Sequence, residues 1–140
     1  MSFQLPIRVY WEDTDAGGIV FYANYLKFME RARTEWLRSL GIGQRTLREE
    51  AGGQFVVSET RLKYHRPARL DDELAVTAQL RQLGSASLTI EQRVLSTPAP
   101  GALLCEGTIR IGWVDAATLR PTHMPHDVSG TLERYLRSTA

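Results

Sequence analysis

Seven apolar residues between Tyr25 and Leu40 fall on one side of an α-helix, and this constrains the fold more than any other feature. Tyr25, Phe28, Met29, Ala32, Trp36, Leu37 and Leu40 follow i, i+3, i+4, i+7, i+11, i+12 and i+15. Lys27, Glu30, Arg31, Glu35 and Arg38 fall largely off that stripe, and Gly41 and Gly43 stand where a helix-ending glycine belongs. A helix with one apolar face must bury it against something. The rest of the chain supplies strands.

Phe3 to Trp11 alternates roughly between apolar and polar residues and contains the β-formers Ile7, Val9, Tyr10 and Trp11, so a first strand is expected there, with Pro6 near its start or edge. Gln44 to Glu50 has the length of one or two helical turns. Four strand-like runs follow: Phe55–Arg66, Glu73–Leu83, Ser87–Ser96 and Ala102–Val114, separated by Pro67, Gly84, Pro98, Pro100 and Gly101. A short helix is expected from about Asp127 to Leu136. The order is strand, one long helix, then a meander of four strands, which predicts an α+β protein with a five-stranded antiparallel sheet against one central helix. One helix covers one face of such a sheet and leaves its edges open, so pairing between subunits, at least as a symmetric dimer, is expected.

Composition narrows the function. The 140 residues fit one domain, at roughly 100–200 residues per domain. Seventeen Lys+Arg against sixteen Asp+Glu give no overall field for nucleic acid or anionic membranes. The single Cys105 makes no internal disulfide, and His65, His123 and His126 lie in no metal-ligand spacing, so no metal or redox cofactor is expected. No run approaches the ~20 apolar residues of a membrane span, and the N-terminus lacks the basic start and apolar core of a secretory signal. A cytoplasmic protein is the expectation.

Polar chemistry gathers between the first strand and the helix, in Glu12-Asp13-Thr14-Asp15-Ala16-Gly17-Gly18. A helix N-terminus presents free N–H groups and about half a positive charge, which can stabilise an oxyanion. A carboxylate held beside it can attack a carbonyl or activate water. The same residues also suit a structural role, since Asp and Gly ahead of a helix serve as caps and turns. Gly17-Gly18 is no dinucleotide fingerprint, and no G-x-S-x-G elbow is present. A second patch runs from Arg61 to Arg69. On a strand, Arg61, Lys63 and His65 would share one face and Leu62 and Tyr64 the other; that basic face suits either phosphate binding or plain exposure to solvent.

The segment from Tyr10 through Tyr25 (YWEDTDAGGIVFYANY) resembles the active-site segment of hotdog-fold acyl-CoA thioesterases, and within them the YbgC-like branch associated with the Tol-Pal system. The likeness continues through Leu26 to Leu37 and returns at Tyr64-His65-Arg66-Pro67-Ala68-Arg69-Leu70-Asp71-Asp72-Glu73-Leu74. It implies a sheet wrapped around one long helix, with dimers or tetramers that bind acyl-CoA at subunit interfaces. It places the catalytic carboxylate on Asp15, as nucleophile or as base for water, and the carbonyl-polarising N–H on Tyr22 at the start of the helix. Asp13 reads as a loop organiser, and Lys63 and Arg66 of the second patch are candidates for holding the CoA phosphates. The branch usually has histidine where Tyr22 stands; the 4-hydroxybenzoyl-CoA thioesterases share the tyrosine. A backbone N–H survives that exchange, whereas side-chain acid–base work does not transfer simply to a phenol of pKa ~10. Two other outcomes belong to the same fold: a dehydratase, disfavoured by the absence of histidine from the loop, and a non-catalytic scaffold for acyl carrier protein or envelope-associated partners.

Overall fold

The helical stripe is buried as its spacing predicts. In the computed structural model, which describes residues 3–139, β1 (Phe3–Arg8) is followed by α1 (Asn24–Ser39) and α2 (Gln44–Glu50). Then come β2 (Gly53–Tyr64), β3 (Glu73–Leu83), β4 (Ser87–Ser96), β5 (Leu103–Asp115) and α3 (His126–Thr139). Tyr25, Phe28, Met29, Ala32, Trp36 and Leu37 are all buried, and α1 lies across β1, β3 and β4. Helix α1 ends in a Schellman turn: Gly41 takes φ +81°, its N–H bonds to Arg38 O, and Ile42 N–H bonds to Leu37 O. A side chain at Gly41 would be strained in that left-handed conformation.

The five strands form one antiparallel sheet, as expected, but in the order β1-β3-β4-β5-β2. The expected four-strand meander is therefore corrected: only β3, β4 and β5 meander, and β2 lies at the far edge, beside β5. Eight residues separate Tyr64 from Glu73. Extended at roughly 3.3 Å each, they reach about 26 Å, well beyond the roughly 14 Å spanned by three inter-strand gaps. A tight hairpin would need only about two to five residues.

Alternation sets the core. Leu74, Val76, Ala78 and Leu80 on β3 point to α1 with Leu88, Ile90 and Val94 on β4 and Ile109, Ile111 and Trp113 on β5. On β2, Leu62 lies opposite Gly107, where an added Cβ would come within 2.4 Å of the Leu62 side chain. Several element limits also differ from expectation: β2 runs two residues earlier than Phe55–Arg66, and β5 one residue later than Ala102–Val114. The first strand stops at Arg8, because Trp11–Asp13 winds into a single 3₁₀ turn that leaves Trp11 83% exposed. The C-terminal helix is not short but spans His126–Thr139, burying Val128 and Leu132 and setting Tyr135 edge-on to Trp36. No helix among the described residues is long and apolar enough to cross a membrane.

Candidate active site

The chain between β1 and α1 is a braced loop in which the two aspartates have different jobs. The Asp13 side chain is buried, and its carboxylate accepts the Tyr10 N–H at 2.8 Å. Its backbone carbonyl accepts both the Phe21 N–H at 3.0 Å and the Asn24 side-chain amide at 2.8 Å. Asp13 thus ties the beginning of the loop to its end.

Asp15 stands at the tip. Gly18 N–H bonds to Asp15 O and Asp15 N–H bonds to Ile19 O, with Gly18 at φ +80°. This is a tight turn closed by a left-handed glycine, a known way to return a strand after three residues. The Asp15 side chain is exposed, and its Oδ1 accepts the Gly17 N–H at 2.8 Å, which leaves Oδ2 free among the described residues. The β2–β3 crossover clamps the returning arm: Val20 N–H bonds to Ala68 O and Leu70 N–H to Gly18 O.

Tyr22 follows two residues after Val20. Helix α1 begins at Asn24 rather than at Tyr22, so the tyrosine lies in the turn ahead of the helix, with Asn24 N–H bonded back to Phe21 O. The reason is local, since the Asp13 carbonyl draws Phe21 and Asn24 together and bends the chain before the first helical turn. The N–H groups of Tyr22 and Ala23 have no hydrogen-bond acceptor among the described residues. They sit where the positive end of the α1 dipole lies. The Tyr22 side chain is 64% exposed and tilts against Phe21, itself partly exposed.

Beneath this turn lies an aromatic group that the sequence did not reveal as part of the site. Tyr64, the last residue of β2, faces inward opposite Cys105 and donates its hydroxyl to the Tyr22 carbonyl at 3.0 Å. Tyr25 is buried beside it, and its hydroxyl accepts the Ala68 N–H at 3.0 Å. Burial raises the pKa of both phenols, so both stay protonated at neutral pH. Burial also pushes the Cys105 thiol up to about 11, which makes it inert.

The basic residues fall elsewhere. Lys63 and Arg61 face the outer surface of the sheet, opposite to Leu62 and Tyr64, as the strand alternation predicts. There they line a groove of about 190 Å³ with Glu91 and Glu106, so its charge is mixed rather than basic. His65 pairs with Glu106 at 3.0 Å, and Arg66 is exposed just past the end of β2. Neither Lys63 nor Arg66 forms an ion pair among the described residues. The structure brings Asp15 and Tyr22 into one loop, and it turns the Lys63 side chain to the other face of the sheet. Among the described residues, no group of three or more His, Cys, Asp or Glu forms a metal cluster.

The sequence and the overall fold match known proteins. The model of the thioesterase-like superfamily matches residues 9–132. The Haemophilus influenzae acyl-CoA thioesterase YbgC is 41% identical over 127 residues, which is 91% of each chain. A probable thioesterase from Bartonella henselae has a TM-score of 0.81 at 29% identity, covering 89% of this chain and 100% of that one. A hypothetical protein from Staphylococcus aureus in complex with CoA, 18% identical, has a TM-score of 0.89 over 98% of this chain and 85% of that one, a likeness of fold. The chain belongs to the thioesterase-like superfamily, with the hotdog fold. Within it, the chain groups with the YbgC acyl-CoA thioesterases.

Proposed function

We propose that this chain hydrolyses an acyl-CoA thioester to a free acid and CoA, with Asp15 and the turn at Tyr22 as its machinery. The observation that carries the reading is a single loop holding an exposed carboxylate at its tip and two unengaged N–H groups at its return. The Asp15 carboxylate attacks the thioester carbonyl carbon, or takes a proton from a water that does so. The carbonyl oxygen gains negative charge and is held by the Tyr22 N–H, with the α1 dipole aligned behind it. The C–S bond then breaks and CoA leaves as a thiolate that takes up a proton. By the nucleophilic route this leaves an Asp15–acyl anhydride that water hydrolyses to the free acid and the Asp15 carboxylate. By the base route the attacking water has already supplied the oxygen of the acid. The Tyr22 side chain has no acid–base duty in this scheme. Lys63 and Arg66 are the candidates for holding CoA phosphates; Arg66 suits that role better, because it lies at the end of β2 near Tyr64 while Lys63 shares its groove with two glutamates.

In this reading the site is shared by two copies of the chain, or by the dimers of a tetramer. Strand β2 is a twelve-residue edge with Val57 50% exposed, and an edge of that length is a template for pairing. Tyr22 and Tyr64 lie near one end of it, both well exposed, as expected for residues covered only in the assembly. Light scattering is expected to give a mass at least twice the 15.8 kDa of one chain.

The test is thiol release from a panel of short aliphatic, long-chain and benzoyl CoA thioesters. Buried Cys105 is not expected to consume the thiol reagent while the protein is folded. Turnover on at least one member supports the reading. Binding without release would favour a scaffold, including one for acyl carrier protein, and hydration without release would favour a dehydratase.

A further inference from the structure

We propose that Tyr64 is a positioning residue for the oxyanion site, acting through the peptide that joins Tyr22 to Ala23. The inference rests on the reading that this turn receives the thioester oxygen. The Tyr64 hydroxyl donates to the Tyr22 carbonyl oxygen at 3.0 Å, and no backbone N–H reaches that oxygen among the described residues. The carbonyl of Tyr22 and the N–H of Ala23 belong to one planar trans peptide and point in opposite directions. A bond that fixes one therefore aims the other. Pulling electron density toward the carbonyl oxygen also makes the same peptide's N–H a stronger donor. The Ala23 N–H is thereby oriented as a second donor beside that of Tyr22.

The tyrosine is well held for this task. Its ring stands edge-on to Tyr25 at 5.6 Å and to Tyr22 at 6.3 Å, and Tyr25 is itself tied to Ala68. Ala68 in turn accepts the Val20 N–H, so Tyr64 and the returning arm of the Asp15 hairpin share one brace. Its place at the end of an edge strand links the turn to β2, the strand on which assembly is proposed. Partial desolvation raises the phenol above its ordinary pKa, and it remains a donor.

Tyr64→Phe keeps the ring contacts and removes only the hydroxyl. Removing a direct oxyanion donor costs about 10²–10³ in kcat; a group acting one peptide away is expected to cost about tenfold. The expected result is that fall in kcat, KM changed less than about twofold, an unchanged oligomer, and a displaced Ala23 amide resonance. A purely structural tyrosine would lower thermal stability without splitting kcat from KM. An unchanged kcat, or a raised KM with kcat intact, would overturn the assignment. Tyr64→Leu removes the ring as well; it is expected to lose stability in addition but to retain no more turnover than Tyr64→Phe, and clearly higher turnover would also overturn it. Asp15→Asn, measured alongside, separates the two ideas. An inactive Asp15→Asn with a fully active Tyr64→Phe sinks only the Tyr64 role, whereas full activity in Asp15→Asn sinks the reading of the site beneath it.

Discussion

Asp15→Asn is expected to lower kcat by roughly 10²–10⁴, the contribution of a positioned general base, while leaving the fold and the assembly intact. The two halves of that expectation come from different atoms. Asparagine keeps an Oδ1 able to accept the Gly17 N–H, so the turn that carries the residue still closes. The backbone bonds between Asp15 and Ile19 and between Gly18 and Asp15 do not involve the side chain. What disappears is the negative charge, and with it the nucleophile or base that the proposed reaction needs. Steady-state thiol release and a thermal melt on the same sample measure the two halves separately. A variant within tenfold of the parent would remove Asp15 from the mechanism. Asp13→Asn would probe a different property, since the buried Asp13 carboxylate accepts the Tyr10 N–H and supports the loop.

That contrast between the two aspartates shows where sequence reading stops. Asp13 and Asp15 are the same residue type two positions apart, and local pattern treats both as turn formers. Only the fold buries one carboxylate and exposes the other. The α1 stripe was legible because its information is local and repeated: seven apolar side chains at one period, ended by Gly41 in a conformation that glycine favours. Strand limits from Glu73 to Leu83 and from Ser87 to Ser96 were legible for the same reason. The neighbour of β2 was not, because antiparallel pairing is decided by partners far away in the chain, and the eight-residue crossover permits several choices. The 3₁₀ turn at Trp11 was hidden because Tyr10 and Trp11 are strand formers by type, while the Asp13 carboxylate that winds the chain there is read locally as a turn residue. The Tyr64 bond to Tyr22 spans 42 positions, and alternation along β2 could place the ring on the inner face but not name its partner.

Arg33 is a charged residue buried on α1 among the apolar side chains, and it leads to the largest expected loss of stability. It is buried on α1 without a carboxylate partner among the described residues; its Nη1 donates to Gln92 Oε1 at 3.0 Å. Gln92, fully buried on β4, donates its own amide to Met29 O on α1 at 2.9 Å and to Thr77 O on β3 at 3.1 Å. The β3–β4 ladder passes from Val76 opposite Val94 to Gln79 opposite Glu91, and in that gap Thr77 Oγ1 accepts the Arg93 N–H. One amide therefore joins the helix to two strands and faces a guanidinium that burial already disfavours. Gln92→Leu matches the volume but strips the Arg33 guanidinium of its hydrogen-bond acceptor, with an expected cost of about 3 kcal/mol, the upper end for leaving a buried polar group unsatisfied. Adding Arg33→Met removes the stranded charge, so the double variant is expected to be more stable than Gln92→Leu alone. Two carbonyls still lose their side-chain donor, so full recovery is not expected. Urea denaturation of the four proteins in the cycle measures the coupling. Simple additivity would mean that Arg33 and Gln92 do not act as a unit.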